Sequence, residues 1–234
     1  MLPLQERGMS EVNYWTQFYV SSNAPVDPSS FAVLVADWLS KRASRGGNQP
    51  LKVVDCGCGN GRDSRYFASL GYSVVGIDQA QSTILQNNLN RQHRDLETYV
   101  LGDFTNISAI PGDPKRCNGA DVLYSRFSIH SVQKGDASRF YQWAAKDGLV
   151  NGGLFFIEAR SIKDPLFFLG SPDPNGDPNA SISGHYRRFI VLDELTNELK
   201  ALGFDILYTT ESAGLSVTPL DDPVLVRVVA RLAK

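Results

Sequence analysis

The sequence predicts a doubly wound α/β fold, a mostly parallel sheet covered by helices on both faces and closed by an antiparallel strand pair at its C-terminal end. Three observations carry this expectation. Short apolar runs alternate with helical patterns between Leu51 and Glu158. A glycine-rich bend, Gly57 to Gly61, joins the first of these runs to the first helical pattern. The last two runs have a turn-rich stretch between them instead of a helix, which suits antiparallel neighbours.

Residues 11–20 place Tyr14, Trp15, Phe18 and Tyr19 three and four apart, so a helix here has an aromatic face. Pro25-Val26-Asp27-Pro28 breaks the chain. Ser29 or Ser30 can then cap a helix from Phe31 to Arg42, with Phe31, Val35, Trp38 and Leu39 on one face. Leu51 to Asp55 reads as a buried strand, Arg62 to Leu70 as a helix ended by Gly71, and Tyr72 to Ile77 as a second strand ending at Asp78. A helix over Gln81 to Asn90 and a strand over Glu97 to Leu101 follow. The pattern continues with a strand over Asp121 to Ser125, a helix over Ala137 to Leu149 and a strand over Gly153 to Glu158. Residues 161–185 contain Pro165, Pro172, Pro174 and Pro178 and read as a long loop. It follows a strand's carboxyl end, so a lid-like loop over residues 161–189 is expected. A helix over Leu192 to Leu202, stopped by Gly203, leads to the strand pair Phe204–Thr210 and Val224–Ala233.

A length of 234 residues, 42% hydrophobic and 21% charged, suits one such domain over residues 11–234. Residues 1–10 read as a flexible tail and residues 11–45 as an N-terminal helical cap. The net charge of -2 gives no electrostatic reason to expect nucleic acid or an anionic membrane as partner. No apolar leader or membrane-length run stands out. Three cysteines, Cys56, Cys58 and Cys117, make no disulfide framework, and a reducing cytoplasm is the simpler expectation. None of His93, His130 and His185 lies near the cysteine pair, so no metal is expected. The partner expected is a small molecule. No repeat or heptad pattern speaks to assembly.

The chemistry begins at Asp55-Cys56-Gly57-Cys58-Gly59-Asn60-Gly61. Glycine permits a sharp turn and a close approach of backbone to ligand, and the helix N-terminus just beyond offers free amide donors. Asp78, at the tip of the second strand, can accept hydrogen bonds from both hydroxyls of a ribose. A ligand carrying a nucleoside is therefore expected. A dinucleotide fingerprint needs G-x-G-x-x-G, but its third glycine falls on Arg62 in one register and on Ser64 in the other. An NAD(P)-dependent oxidoreductase is thus the weaker alternative, and a non-catalytic cofactor-binding module is a third.

The series Asp55, Gly57, Gly59, Gly61 resembles motif I of the class I S-adenosylmethionine-dependent methyltransferases. The resemblance runs from about Tyr14 to the end of the chain, and it implies a Rossmann-like fold with a seven-stranded sheet. It implies S-adenosyl-L-methionine as cofactor and S-adenosyl-L-homocysteine as product. The glycine loop, with Cys58 and Asn60, would lie against the amino-acid part of the cofactor. Asp78, with Gln79 beside it, would hold the ribose, and Asp103 and Phe104 the adenine. Ser125-Arg126-Phe127 would face the methyl group. Tyr14-Trp15, Pro28-Ser29-Ser30-Phe31, Tyr124 to Phe127 and Gly184 to Phe189 are similar to a bacterial group of small-molecule methyltransferases.

Arg126, Arg160, Arg187 and Arg188 fall at the carboxyl side of the sheet, and guanidinium groups bind phosphate or carboxylate in a forked geometry. They suggest an anionic acceptor; solvated pairs with nearby acids are the alternative. Tyr14, Trp15 and Tyr19 can close over a cationic sulfonium or simply pack on the domain. Acid–base candidates are His130, His185, Tyr186 and Glu158, with Arg126 positioned near the reacting atoms. Whether a base is needed depends on the acceptor atom, oxygen or nitrogen.

Overall fold

The computed structural model describes residues 13–19, 25–43, 50–219 and 221–233. The expected tail over residues 1–10 lies outside the described residues. Seven α-helices and ten strands occur in the described chain. Helix α1 covers residues 13–19. The others are α2 (Ser30–Ala43), α3 (Arg62–Ser69), α4 (Gln81–Leu89), α5 (Lys134–Trp143), α6 (Leu166–Leu169) and α7 (Leu192–Ala201). The strands are β1 (Lys52–Cys56), β2 (Ser73–Asp78), β3 (Glu97–Leu101), β4 (Ala120–Arg126) and β5 (Leu149–Arg160). They continue with β6 (Ser171–Pro172), β7 (Ala180–Ser183), β8 (His185–Arg188), β9 (Phe204–Ser212) and β10 (Leu225–Leu232).

Seven strands form one sheet in the order β3-β2-β1-β4-β5-β10-β9. Strands β1 to β5 pair in parallel, and β10 runs antiparallel to both β5 and β9. The expected closing pair is present, with β10 inserted between β5 and β9. Strand order reverses beside β1, between β2 and β4, so a crevice opens beyond the carboxyl ends of β1 and β4.

Both faces of the sheet are buried, which explains why the central strands read as continuous apolar runs. In β5, Leu154 and Phe156 join Phe31, Val35 and Phe67 in the core beneath α2 and α3. Phe155 and Ile157 join Phe140 and Leu199 in the core beneath α5 and α7. Ser29 caps α2, its hydroxyl accepting from Ala32 N at 3.0 Å.

Two expectations change. The helix expected to run to Leu149 leaves its α-helical form after Trp143, passes through one π-turn over Ala144–Gly148 and enters β5 at Leu149. Gly148 lies under the Trp143 ring, where a Cβ would come within 3.0 Å. The span 161–189, expected as a lid-like loop, is instead an ordered excursion. It carries α6 and a three-stranded antiparallel sheet, β6-β7-β8. Strands β7 and β8 form a tight hairpin about Gly184, whose φ of 77° suits glycine. The excursion returns to the main sheet through Ile162 N→Ile190 O (3.0 Å) and Ile190 N→Arg160 O (2.8 Å).

Candidate functional site

The crevice begins where β1 ends. Gly57 and Gly59 both take positive φ, 83° and 51°. A Cβ on Gly57 would stand 2.5 Å from Ser128 Cβ, and one on Gly59 would overlap the Tyr19 hydroxyl. Backbone and crevice wall therefore meet closely here, which only glycine allows. Gly57 N and Cys58 N both donate to Ile77 O, at 2.8 and 2.9 Å. Asn87 Nδ2 of α4 donates to Gly59 O at 2.8 Å.

Asp78 adjoins this bend. Its Oδ2 accepts from Gly59 N and its Oδ1 from Ala80 N, each at 2.9 Å. Each carboxylate oxygen keeps a further lone pair for a hydroxyl. Burial pushes the Asp78 carboxyl above its usual range, and the backbone donors pull it back. Asp55 is also buried, accepts from Ser64 Oγ at 2.6 Å, and is pushed up to about 8 chiefly by desolvation. On the far side of β2, Asp103 Oδ1 accepts from Thr105 N and Thr105 Oγ1, both at 2.8 Å. Among the described residues, Oδ2 has no protein hydrogen bond.

These groups share one cavity of about 1370 Å³. Asp55, Gly57, Cys58, Asn60, Asp78, Gln79, Asp103 and Phe104 line it, as do Tyr14, Trp15 and Tyr19. Gly59 and Gly61 shape its floor without lining it. Ser125 is fully buried, hydrogen-bonded to Ser128 Oγ at 2.7 Å, and it is Ser128 that reaches the cavity.

At the tip of β4, Arg126 Nε lies 2.9 Å from Glu158 Oε1, and Nη2 donates to Ser216 Oγ at 2.9 Å. Its guanidinium covers the Phe127 ring at 4.4 Å. Glu158 also accepts from Arg227 Nε at 2.6 Å, and Arg227 Nη2 reaches Leu215 O at 2.8 Å. Glu158 is thus enclosed between two arginines and does not line the cavity. Phe127 has φ 53°, a left-handed conformation for a non-glycine residue and a form of strain that clusters at sites.

The remaining wall comes from beyond β4 and from the excursion. His130 Nδ1 accepts from Arg160 N at 3.3 Å, and burial holds this imidazole far below its usual value. His185 stands at the start of β8, its ring 4.1 Å from Tyr14 and 4.9 Å from Trp15. Among the described residues, neither of its buried ring nitrogens has a hydrogen-bond partner. Burial, then Arg187 and Arg160, bring it down to about 3. Both histidines are uncharged at neutral pH.

The four arginines do not converge as a clamp. Arg160 lines the cavity but is engaged by Asp164 (2.9 Å) and Asp221. Arg126 is held by Glu158. Arg188 lies outside the lining, paired with Asp177 at 3.2 Å and Glu194 at 3.8 Å. Arg187 lines the cavity, its Nη1 donating to the Ser183 carbonyl at 2.9 Å, and it has no ion pair among the described residues. Tyr186 is buried and also lies outside the lining.

Several lining residues were not anticipated. Ser128 directly follows Ser125-Arg126-Phe127, so position alone could have suggested it. Ser216, Val217, Thr218, Pro219, Asp221 and Pro223 come from the β9–β10 connection, where no motif marks them. Arg62 was read only as a helix residue; its Nη1 donates to Asp27 O at 3.2 Å and helps hold the chain ahead of α2 against the glycine bend.

Among the described residues, no group of three or more His, Cys, Asp or Glu is placed to hold a metal, and no helix is long and apolar enough to cross a membrane. The three cysteines are free and buried.

Residues 31–209 match the family model for a methyltransferase domain. A ubiquinone biosynthesis O-methyltransferase from Paraburkholderia phymatum is 27% identical over 185 residues, covering 78% of this chain and 74% of that protein. Among solved structures, the fold is similar to 1,6-didemethyltoxoflavin-N1-methyltransferase from Burkholderia thailandensis, which holds 1,6-didemethyltoxoflavin and S-adenosylhomocysteine. The TM-score is 0.67 at 14% identity, over 100% of this chain and 92% of that one. It is also similar to the glycopeptide N-methyltransferase MtfA complexed with S-adenosylmethionine, with TM-score 0.58, 19% identity, and 89% and 97% coverage.

Proposed function

The chain belongs to the class I S-adenosylmethionine-dependent methyltransferases, and from that premise we propose that it methylates an oxygen or nitrogen atom of a small acceptor bound beside His130, His185 and Arg187. The observation that carries this reading is a single cavity containing both the glycine bend with Asp78 and two uncharged histidines. Its volume exceeds the roughly 300–1,000 Å³ of a one-ligand pocket, as a site for two molecules requires.

The residues present fit the cofactor. Asp78 offers two oxygens at the bend for ribose hydroxyls. Asp103 Oδ2 suits an exocyclic amine, and the glycines leave space where side chains would intrude. When bound, the cofactor supplies a methyl group on a positively charged sulfur, already a good leaving group. This chain then has to align the acceptor, exclude water and accommodate its proton. Tyr19, beside Asp78 and over Gly59, shields the bend. His185, its ring nitrogens open among the described residues, is positioned to hydrogen-bond the acceptor's O–H or N–H. His130 is held by the Arg160 backbone and serves to shape the wall. Arg187 is positioned to neutralise negative charge on the acceptor. The anionic character expected from four arginines thereby rests on one.

A crystal structure with S-adenosylhomocysteine tests this placement. The expected result is a ribose on Asp78 and a sulfur opening toward His185 and Arg187. A sulfur turned away from both residues would remove them from the reaction.

A further inference from the structure

We propose that the acceptor is a flat aromatic or heteroaromatic ring bearing an acidic O–H or N–H, stacked within the wall formed by Tyr14, Trp15 and His185. This rests on the methyl-transfer reading and narrows it to one substrate class. The first support is shape. The Tyr14 and Trp15 rings stand edge to face, 5.2 Å apart, and both pack on His185. Phe18 and Phe127 also line the cavity, and Val217 and Pro219 add apolar surface. Planar ligands gain most from such surroundings, through offset or edge-to-face contacts beyond simple burial.

The second support is the unmet hydrogen-bonding capacity of His185. Among the described residues both nitrogens are buried and unpartnered in a cavity wall, a costly arrangement unless a ligand supplies the partner. A neutral imidazole with open nitrogens can hydrogen-bond the O–H or N–H of a phenol, an enol or a ring imide, and such a group, unlike an aliphatic alcohol, is acidic enough to release its proton to solvent beside Arg187.

The third support is charge. A phosphorylated sugar needs several cationic or polar partners. Arg126 and Arg160 are already engaged by carboxylates, Arg62 lies 3.8 Å from Asp63 and donates to Asp27 O, Arg188 is outside the cavity, and Asp221 itself lines the wall. One arginine, Arg187, matches a single phenolate, enolate or ring carboxylate.

The test uses protein saturated with S-adenosylhomocysteine, whose own affinity is measured first. Catechol, 3,4-dihydroxybenzoate, 2-naphthol and 7-hydroxycoumarin are then titrated against glucose 6-phosphate and glycerol 3-phosphate, and all six are assayed as acceptors of labelled methyl. The expected result is binding of at least one aromatic probe and methylation of its heteroatom. Trp15→Ala should raise the KM for that probe at least tenfold and leave the S-adenosylhomocysteine affinity within twofold. Tyr14→Leu should do the same and provides a second variant if the first fails to fold. His185→Gln should lower kcat more than it raises KM. Binding by no aromatic probe, acceptance by the phosphorylated compounds alone, or a KM indifferent to both aromatic variants would overturn the acceptor class. Failure of the wild type to bind S-adenosylhomocysteine would instead overturn the methyl-transfer reading on which it rests.

Discussion

Asp55 and Gly59 show how single residues set the properties of the bend. Asp55 is raised from an ordinary value of 3.8 to about 8 because it is buried, with Ser64 Oγ the partner that offsets part of that cost. An acid raised on folding binds its proton in the native state while the unfolded chain has released it. Its contribution to stability therefore falls as pH rises from about 4 to about 8. Asp55→Asn, which keeps the shape and can still accept from Ser64, should gain on wild type across that window. Denaturation midpoints compared at pH 5 and pH 8 check this; a constant difference would contradict it. Gly59→Ala combines a left-handed φ with overlap onto Tyr19, so it should lose about 1–2 kcal/mol of stability from the backbone alone. It should also weaken cofactor binding, as chemical unfolding and titration together would show.

At the scale of elements, the hairpin β7–β8 delivers His185 and Arg187 to the cavity. Gly184 turns it at φ 77° with nothing within 4 Å of where a Cβ would stand. Gly184→Ala should thus cost about 1 kcal/mol through strain alone, without a clash. A loss much above that, read from unfolding curves, would mean that the turn is packed. The β9–β10 connection is joined to the sheet by the Arg126–Glu158–Arg227 group, through Ser216 and Leu215. Removing one member leaves buried charge unmatched, so Glu158→Leu should destabilise the protein by about 3–5 kcal/mol. An unchanged midpoint would show that the group contributes little.

This hairpin was also the part least legible in the sequence. Its strands are four residues each, and β8 buries both His185 and Tyr186, so no alternation marks it. Four prolines over 161–189 gave the stronger, misleading signal of a loop. The central strands were legible because burial on both faces makes each one a plain apolar run. The proposed cofactor side was legible because turn chemistry restricts it to glycines and a strand-end acid, all close in sequence. The acceptor side was not: which arginines are engaged depends on Asp164, Asp177, Glu194 and Asp221, whose pairing only the folded chain defines.

In the whole molecule, the reversal of strand order beside β1 brings three distant segments to one crevice. The glycine bend and Asp78 come from the first half of the sheet, His130 from beyond β4, and His185 from the excursion after β5. Helix α1 adds the aromatic rings that cover them. On the proposed reading the fold separates two tasks, with the cofactor at β1 and β2 and the acceptor beyond β4 and β5. The most direct measurement is a calorimetric titration of S-adenosylhomocysteine into the wild type and into Asp78→Ala. One binding site is expected in the wild type and at least a tenfold weaker Kd in the variant, about 1.4 kcal/mol, with its thermal unfolding still cooperative. No binding by the wild type, or equal affinity in both proteins, would contradict this expectation.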